Sequence, residues 1–189
     1  MLDVLSRIAV RFQEAEVIWA LGASFLLYYH GLVEAPHDID LMVERGSIEK
    51  ADAILRQLGD KQEPEQNPLY GTDYFYEYVI DGVEVDVMAG LQIKHREGCF
   101  VYRFDAKAVD GTWQLGAGAI PLGAPEDWYV LYQLMPGREA KADSLDHYLQ
   151  RRGVKRRDLL ERCLTGELPA ELREKIEIIL SRYTDTILT

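Results

Sequence analysis

Apolar positions along the chain follow two periods. Leu2, Leu5, Ile8, Ala9 and Phe12 recur every three or four residues and predict an amphipathic helix over 2–15, packed on a sheet. Residues 17–21, VIWAL, form a short bulky run that reads as a buried strand. Gly22-Ala23-Ser24 breaks that run and opens an apolar stretch of helical length over 25–32. Residues 37–43, HDIDLMV, alternate polar and apolar, which predicts a second strand with one buried face. After the cap-like Ser47, apolar positions from Ile48 to Leu58 carry a helix to Gly59. Residues 60–71, with Pro64, Asn67, Pro68 and Gly71, read as a loop. Alternating stretches at 73–80 and 83–88 flank Asp81-Gly82 and predict a hairpin.

Residues 90–123 look rich in strands and loops, with a further edge strand or two. Pro125-Glu126-Asp127-Trp128 then puts a proline and two acids where a helix start favours them. Helical apolar segments follow at 128–135, 144–149, 158–164 and 172–180, separated by Pro136-Gly137, Gly153 and 166–169. The resulting division is an α+β domain over 1–124 and a helical region over 125–189.

Composition narrows the setting. A chain of 189 residues, 48% hydrophobic and 28% charged, can bury a full core as one domain with a helical appendage. The net charge of −11 is uneven: residues 1–125 carry −10, and residues 126–189 carry −1. Such a surface does not advertise binding to nucleic acid or anionic membrane. Cys99 and Cys163 have no CxxC partner, which points to a reduced, cytoplasmic setting and to packing roles for both. No signal peptide is evident, and no apolar stretch is long enough to cross a bilayer, so no membrane partner is expected.

The chemistry concentrates in residues 22–40. On a strand, residues two apart face the same way, so Asp38 and Asp40 aim two carboxylates at one patch while Ile39 and Leu41 anchor the other face. Carboxylates that close repel unless a cation or proton lies between them. A hard divalent ion such as Mg2+, shared with substrate phosphates, meets that need. The Gly22-Ala23-Ser24 bend leaves unpaired N–H groups at a helix start, which suits a phosphate, and Ser24 can cap the helix or bond a phosphate oxygen.

Gly22-Ala23-Ser24, thirteen intervening residues, then Asp38-Ile39-Asp40 and an apolar strand resembles the nucleotidyltransferase superfamily of polymerase-beta-like fold, especially its small antibiotic-modifying and toxin–antitoxin members. The superfamily's third acid matches Asp86 in Gly82-Val83-Glu84-Val85-Asp86-Val87-Met88, with Glu84 as the substitute on the same face. The chain departs from the pattern at Ala23, where many relatives carry a second glycine; alanine fits there if its φ is negative. The resemblance implies a mixed sheet packed with helices and followed by a small C-terminal helical bundle. It implies Mg2+ held by Asp38, Asp40 and Asp86, nucleotide phosphates gripped by Gly22, Ala23 and Ser24, and Asp86 as base. A nucleoside monophosphate would pass from an NTP such as ATP to a hydroxyl of a small molecule, a protein or a tRNA, releasing pyrophosphate. A Pro-Glu-Asp helix followed by Arg138 and Lys141 resembles an element that lies beside the nucleotide in some relatives and adds both cations to the binding set. The alternative is a catalytically inactive member that binds a nucleotide or a partner.

Other features have plainer readings. The run 151–157, RRGVKRR, reads as a solvated helix end, with steering of RNA or triphosphate as its functional alternative. Tyr28, Tyr29, Tyr74, Tyr76 and Tyr78 read mostly as core or sheet-face residues, with an acceptor cleft as the other use for some.

Overall fold

Helix α1 (Leu2–Glu14) forms on the predicted stripe and buries Val4, Leu5, Ile8, Ala9 and Phe12. Strand β1 (Trp19–Leu21), helix α2 (Ala23–Tyr29), strand β2 (Ile39–Val43) and helix α3 (Ile48–Leu58) follow. Next come β3 (Asp60–Gln62), β4 (Tyr74–Ile80), β5 (Val83–Ala89), β6 (Gln92–His95), β7 (Gly98–Val101), β8 (Val109–Leu115) and β9 (Gly118–Gly123). Helices α4 (Pro125–Leu134), α5 (Glu139–Arg152), α6 (Arg157–Leu164) and α7 (Ala170–Arg182) complete the chain. This computed structural model describes residues 1–63 and 67–182. It divides into one unit of Met1–Leu91 with Arg103–Gly123, and another of Gln92–Tyr102 with the chain from Ala124 on.

The first unit is built on a seven-stranded mixed sheet in the order β3-β4-β5-β2-β1-β9-β8. β4 and β5 pair antiparallel across Asp81 and Gly82, whose φ values of 50° and 75° suit a two-residue hairpin turn. Their alternation buries Tyr78, Ile80, Val85, Val87 and Ala89 on one face, next to Ile39 and Leu41 of β2. β2 runs parallel to β5 and antiparallel to β1. α1 packs against β9, and the Ser6 hydroxyl donates to the Leu115 carbonyl at 2.7 Å. A Cβ on Gly118 would lie 2.8 Å from the Ser6 carbonyl, so only glycine permits that approach.

Several boundaries differ from the sequence reading. α2 spans 23–29 rather than 25–32, because Gly31 takes φ 70° and ends it. The N–H of Leu32 reaches the Leu27 carbonyl at 2.9 Å and that of Gly31 reaches Tyr28 at 3.0 Å, which is a Schellman stop. Part of the expected 60–71 loop is a strand, since residues 60–62 pair with β4 as an edge. Pro64 of that loop lies outside the described residues. The further edge strand expected within 90–123 is β8, and β9 lies inside it, between β1 and β8.

In the second unit, the β6–β7 hairpin and the helices are tied together by acids at the start of α4. Asp127 is fully buried, and its carboxylate accepts from the Tyr102 hydroxyl at 2.6 Å and the Cys163 thiol at 3.7 Å, with Arg162 at 3.8 Å. Burial pushes its carboxyl up to about 6 against the pull of Tyr102 and Arg162. Burial, with the neighbouring Asp127 carboxylate, also raises the Tyr102 phenol and the Cys163 thiol. Glu126, also buried, accepts the backbone N–H groups of Lys155 at 2.8 Å and Arg156 at 3.0 Å, capping the start of α6 from a distance. The basic run is therefore a pinned connection: Arg156 pairs with Asp158 and Arg157 with Glu161, while Arg151, Arg152 and Lys155 are exposed. Among the described residues, no helix is long and apolar enough to cross a membrane.

Candidate active site

Parallel pairing of β2 with β5 sets Asp40 directly beside Asp86, two positions 46 residues apart in sequence. Both lie on the sheet face opposite the buried Ile39, Leu41, Val85 and Val87. Asp38 stands one residue ahead of β2, so the strand is shorter than the 37–43 expected and the same-face argument does not apply to it. The Ser24 hydroxyl instead brings it in, donating to Asp38 Oδ1 at 3.0 Å. One carboxylate oxygen from each of Asp38, Asp40 and Asp86 lies within 4.8 Å of the others.

The bend is fastened to the same strand. The Gly22 N–H donates to the Asp40 carbonyl at 2.9 Å, and the Ser24 side chain is buried. Ala23, however, has φ 43°, contrary to the negative value its fit requires. An alanine in the left-handed region costs about 1–2 kcal/mol, which explains why glycine suits this position better. Ala23→Gly is therefore expected to leave the melting temperature unchanged or raise it, because strain relief offsets the roughly 0.5–1 kcal/mol of added chain entropy. A clear loss of stability, as for an ordinary helical Ala→Gly change, would show that the bend is relaxed.

Burial first, then the negative charges of Asp38, Glu77 and Glu84, push the Asp86 carboxyl up to about 7. Glu77 is its cross-strand partner on β4, a neighbour the sequence reading overlooked, although counting out from the Asp81-Gly82 turn would have placed it there. Glu84 is exposed and lies outside the group of three. Because the folded value exceeds the unfolded value of about 3.9, the fold favours the neutral acid. The associated stability is full below pH ~4 and is lost as pH rises through about 7. In EDTA, the melting temperature of Asp86→Asn should therefore gain on that of the native protein between pH 5 and pH 8. A gap independent of pH would contradict the raised value.

Arg138 and Lys141 belong to the second unit, at the start of α5. Arg138 is exposed, and Lys141 Nζ lies 5.4 Å from the centre of the Tyr132 ring. The apolar pattern placed a helical segment at 144–149, whereas α5 begins at Glu139.

The chain thus combines a mixed sheet with a Gly-x-Ser bend after one strand, an acid pair at the head of the next and a third acid on its parallel neighbour. No known family profile matches the chain, and no curated protein does. Solved structures do. TM1012 from Thermotoga maritima, assigned as a nucleotidyltransferase, aligns with a TM-score of 0.61 and 23% identity over 79% of this chain and 92% of its own. The antibiotic-resistance factor ANT(2'')-Ia aligns at 0.57 and 14% identity over 99% of this chain and 92% of its own. The lincosamide antibiotic adenylyltransferase LnuA, solved with lincomycin, aligns at 0.51 and 15% identity over 76% of this chain and 95% of its own. At these identities the likeness is one of fold.

Proposed function

We propose that the protein is a Mg2+-dependent nucleotidyltransferase that moves a nucleoside monophosphate from an NTP to an acceptor hydroxyl. The observation that carries this reading is the convergence of Asp38, just ahead of β2, Asp40 on β2 and Asp86 on its parallel neighbour β5. The donor set fits a hard divalent cation: three carboxylate oxygens within mutual reach, one on a carboxyl whose ionisation its burial and acidic neighbours disfavour. When bound, Mg2+ supplies charge neutralisation and a template for the phosphates.

The remaining roles fall to the chain itself. Asp38 and Asp40, with Asp86, would hold the cation that neutralises the phosphates, and Gly22, Ala23 and Ser24 would hold the departing end of the triphosphate. Asp86, raised toward neutrality, takes the proton from the acceptor hydroxyl. The acceptor oxygen forms its bond to the α-phosphorus as the bridge to the β-phosphate breaks, and pyrophosphate leaves with the bonding electrons. Assignment of Arg138 and Lys141 to the triphosphate rests on the sequence resemblance alone.

A small hydroxylated acceptor is the reading we favour over a protein or a tRNA. ANT(2'')-Ia has been solved with adenylyl-2''-tobramycin and LnuA with lincomycin. The −10 balance over residues 1–125 disfavours a long polyanion. Two free cysteines, one buried, suit a cytoplasmic protein. Incubation with Mg2+, each labelled NTP and a panel of hydroxylated small molecules should release pyrophosphate and label one acceptor. Absence of Mg2+-dependent binding of any NTP would defeat the proposal.

A further inference from the structure

Of the three acids, Asp38 is the one whose position strand pairing does not fix. The β2–β5 ladder begins one residue later, at Ile39 and Val85, and sets Asp40 beside Asp86 only. The Asp38 carboxylate is held instead by the Ser24 hydroxyl, which donates to Oδ1 at 3.0 Å.

Ser24 is itself held from both flanks. Its side chain is buried, and the three residues after it in α2, Phe25, Leu26 and Leu27, are fully buried. On the other flank the Gly22 N–H is tied to the Asp40 carbonyl at 2.9 Å, and the Gly22 carbonyl accepts the Leu26 N–H at 3.1 Å. Ala23 keeps its left-handed φ of 43° between these ties. Strain of that kind persists only where the surroundings impose it. The bend is thus clamped to both acids at the head of β2, to Asp40 through the main chain and to Asp38 through a side chain.

A serine hydroxyl has one proton to give. With that proton on Asp38, the side chain has none for a phosphate oxygen, and any hold of Ser24 on the triphosphate passes to its main chain. Removing a donor that orients a metal-holding side chain costs about 10–100-fold in metal affinity. Resting on the metal-site reading above, we propose that Ser24 is a positioning residue for Asp38, whose hydroxyl turns that carboxylate toward the shared cation before any nucleotide binds.

The test is Mn2+ binding followed by electron paramagnetic resonance, without nucleotide and again with ATP. It compares the native protein, Ser24→Ala, Asp38→Ala and the double variant, each shown to be folded by a thermal melt in EDTA. Ser24→Ala should weaken nucleotide-free Mn2+ binding by about ten-fold or more, and should cost nothing further in the Asp38→Ala background. Should Ser24→Ala unfold, Ser24→Cys, which keeps the size with a much weaker donor, is expected to show the same loss. Native-like Mn2+ affinity in the serine variant, whatever happens to ATP affinity, would overturn the inference and leave the enzymatic reading standing. An equal loss in the Asp38→Ala background would also overturn it, because Ser24 would then act elsewhere. A native protein that binds Mn2+ only with ATP present would overturn the inference alone. No Mn2+ binding under either condition would remove the enzymatic reading as well.

Discussion

Asp40→Asn is expected to reduce nucleotidyl transfer by about a thousand-fold or more while leaving the fold intact. Asp40 is paired with Asp86 in the β2–β5 register, and its carboxylate completes the group of three. Loss of a carboxylate that holds the metal removes several kcal/mol of transition-state stabilisation, and each 1.36 kcal/mol is ten-fold in rate. Asparagine keeps the shape, and the Asp40 carbonyl that receives the Gly22 N–H belongs to the backbone, so the bend stays attached. The change also removes one of several crowded negative charges, so the melting temperature without metal should hold or rise. The measurement is a pyrophosphate-release assay beside a thermal melt. Near-native turnover in Asp40→Asn would remove the metal site from the mechanism.

The largest expected loss of stability comes from Asp127→Ala. The carboxylate is fully buried between the Tyr102 hydroxyl, the Cys163 thiol and the Arg162 guanidinium, and so ties the end of the β6–β7 hairpin to α4 and α6. Removing one member of such a buried set costs about 3–5 kcal/mol, because the groups left behind stay desolvated. For a chain of this size that corresponds to a fall of roughly 6–20 °C in melting temperature. Tyr102→Phe, which removes only the donor, should cost far less, about 1–2 kcal/mol. Calorimetry on both variants checks the order. Equal, small effects would mean that Asp127 is solvated and that the helical unit is held otherwise.

These acids illustrate what the sequence could and could not show. Glu126 and Asp127 are visible as first-turn acids favoured by the helix dipole, yet their partners Lys155, Arg156, Tyr102 and Cys163 lie 25 to 36 residues away. Periodicity carries no signal for contacts at that range. The elements it does find are those with a large one-sided apolar face: α1, α3 and the β4–β5 hairpin, whose turn dipeptide fixes the register. β3 was hidden because its Asp60-Lys61-Gln62 is an exposed polar edge with nothing to alternate. α5 proved longer than its apolar core suggested, because it buries only Ala142, Leu145 and Leu149 and has polar ends.

The candidate site was legible in a different way. That Asp38 and Asp40 approach each other was expected from two-residue spacing on a strand, but Asp38 lies off the strand and meets the site through its hydrogen bond from Ser24 instead. That Asp86 joins them depends on the parallel pairing of β2 and β5, which no local pattern reveals and which the resemblance to a known family supplied. The left-handed φ of Ala23 could not be read at all, because alanine ordinarily avoids that region.

The most direct test of the central claim is a Mn2+ titration followed by electron paramagnetic resonance, with ATP present, on the native protein and on Asp38→Asn, Asp40→Asn and Asp86→Asn. Three oxygens within 4.8 Å of one another that share one cation predict tight binding by the native protein and a loss of at least about ten-fold in each variant. Binding that is native-like in any of the three, or absent from the native protein, would contradict a shared metal site.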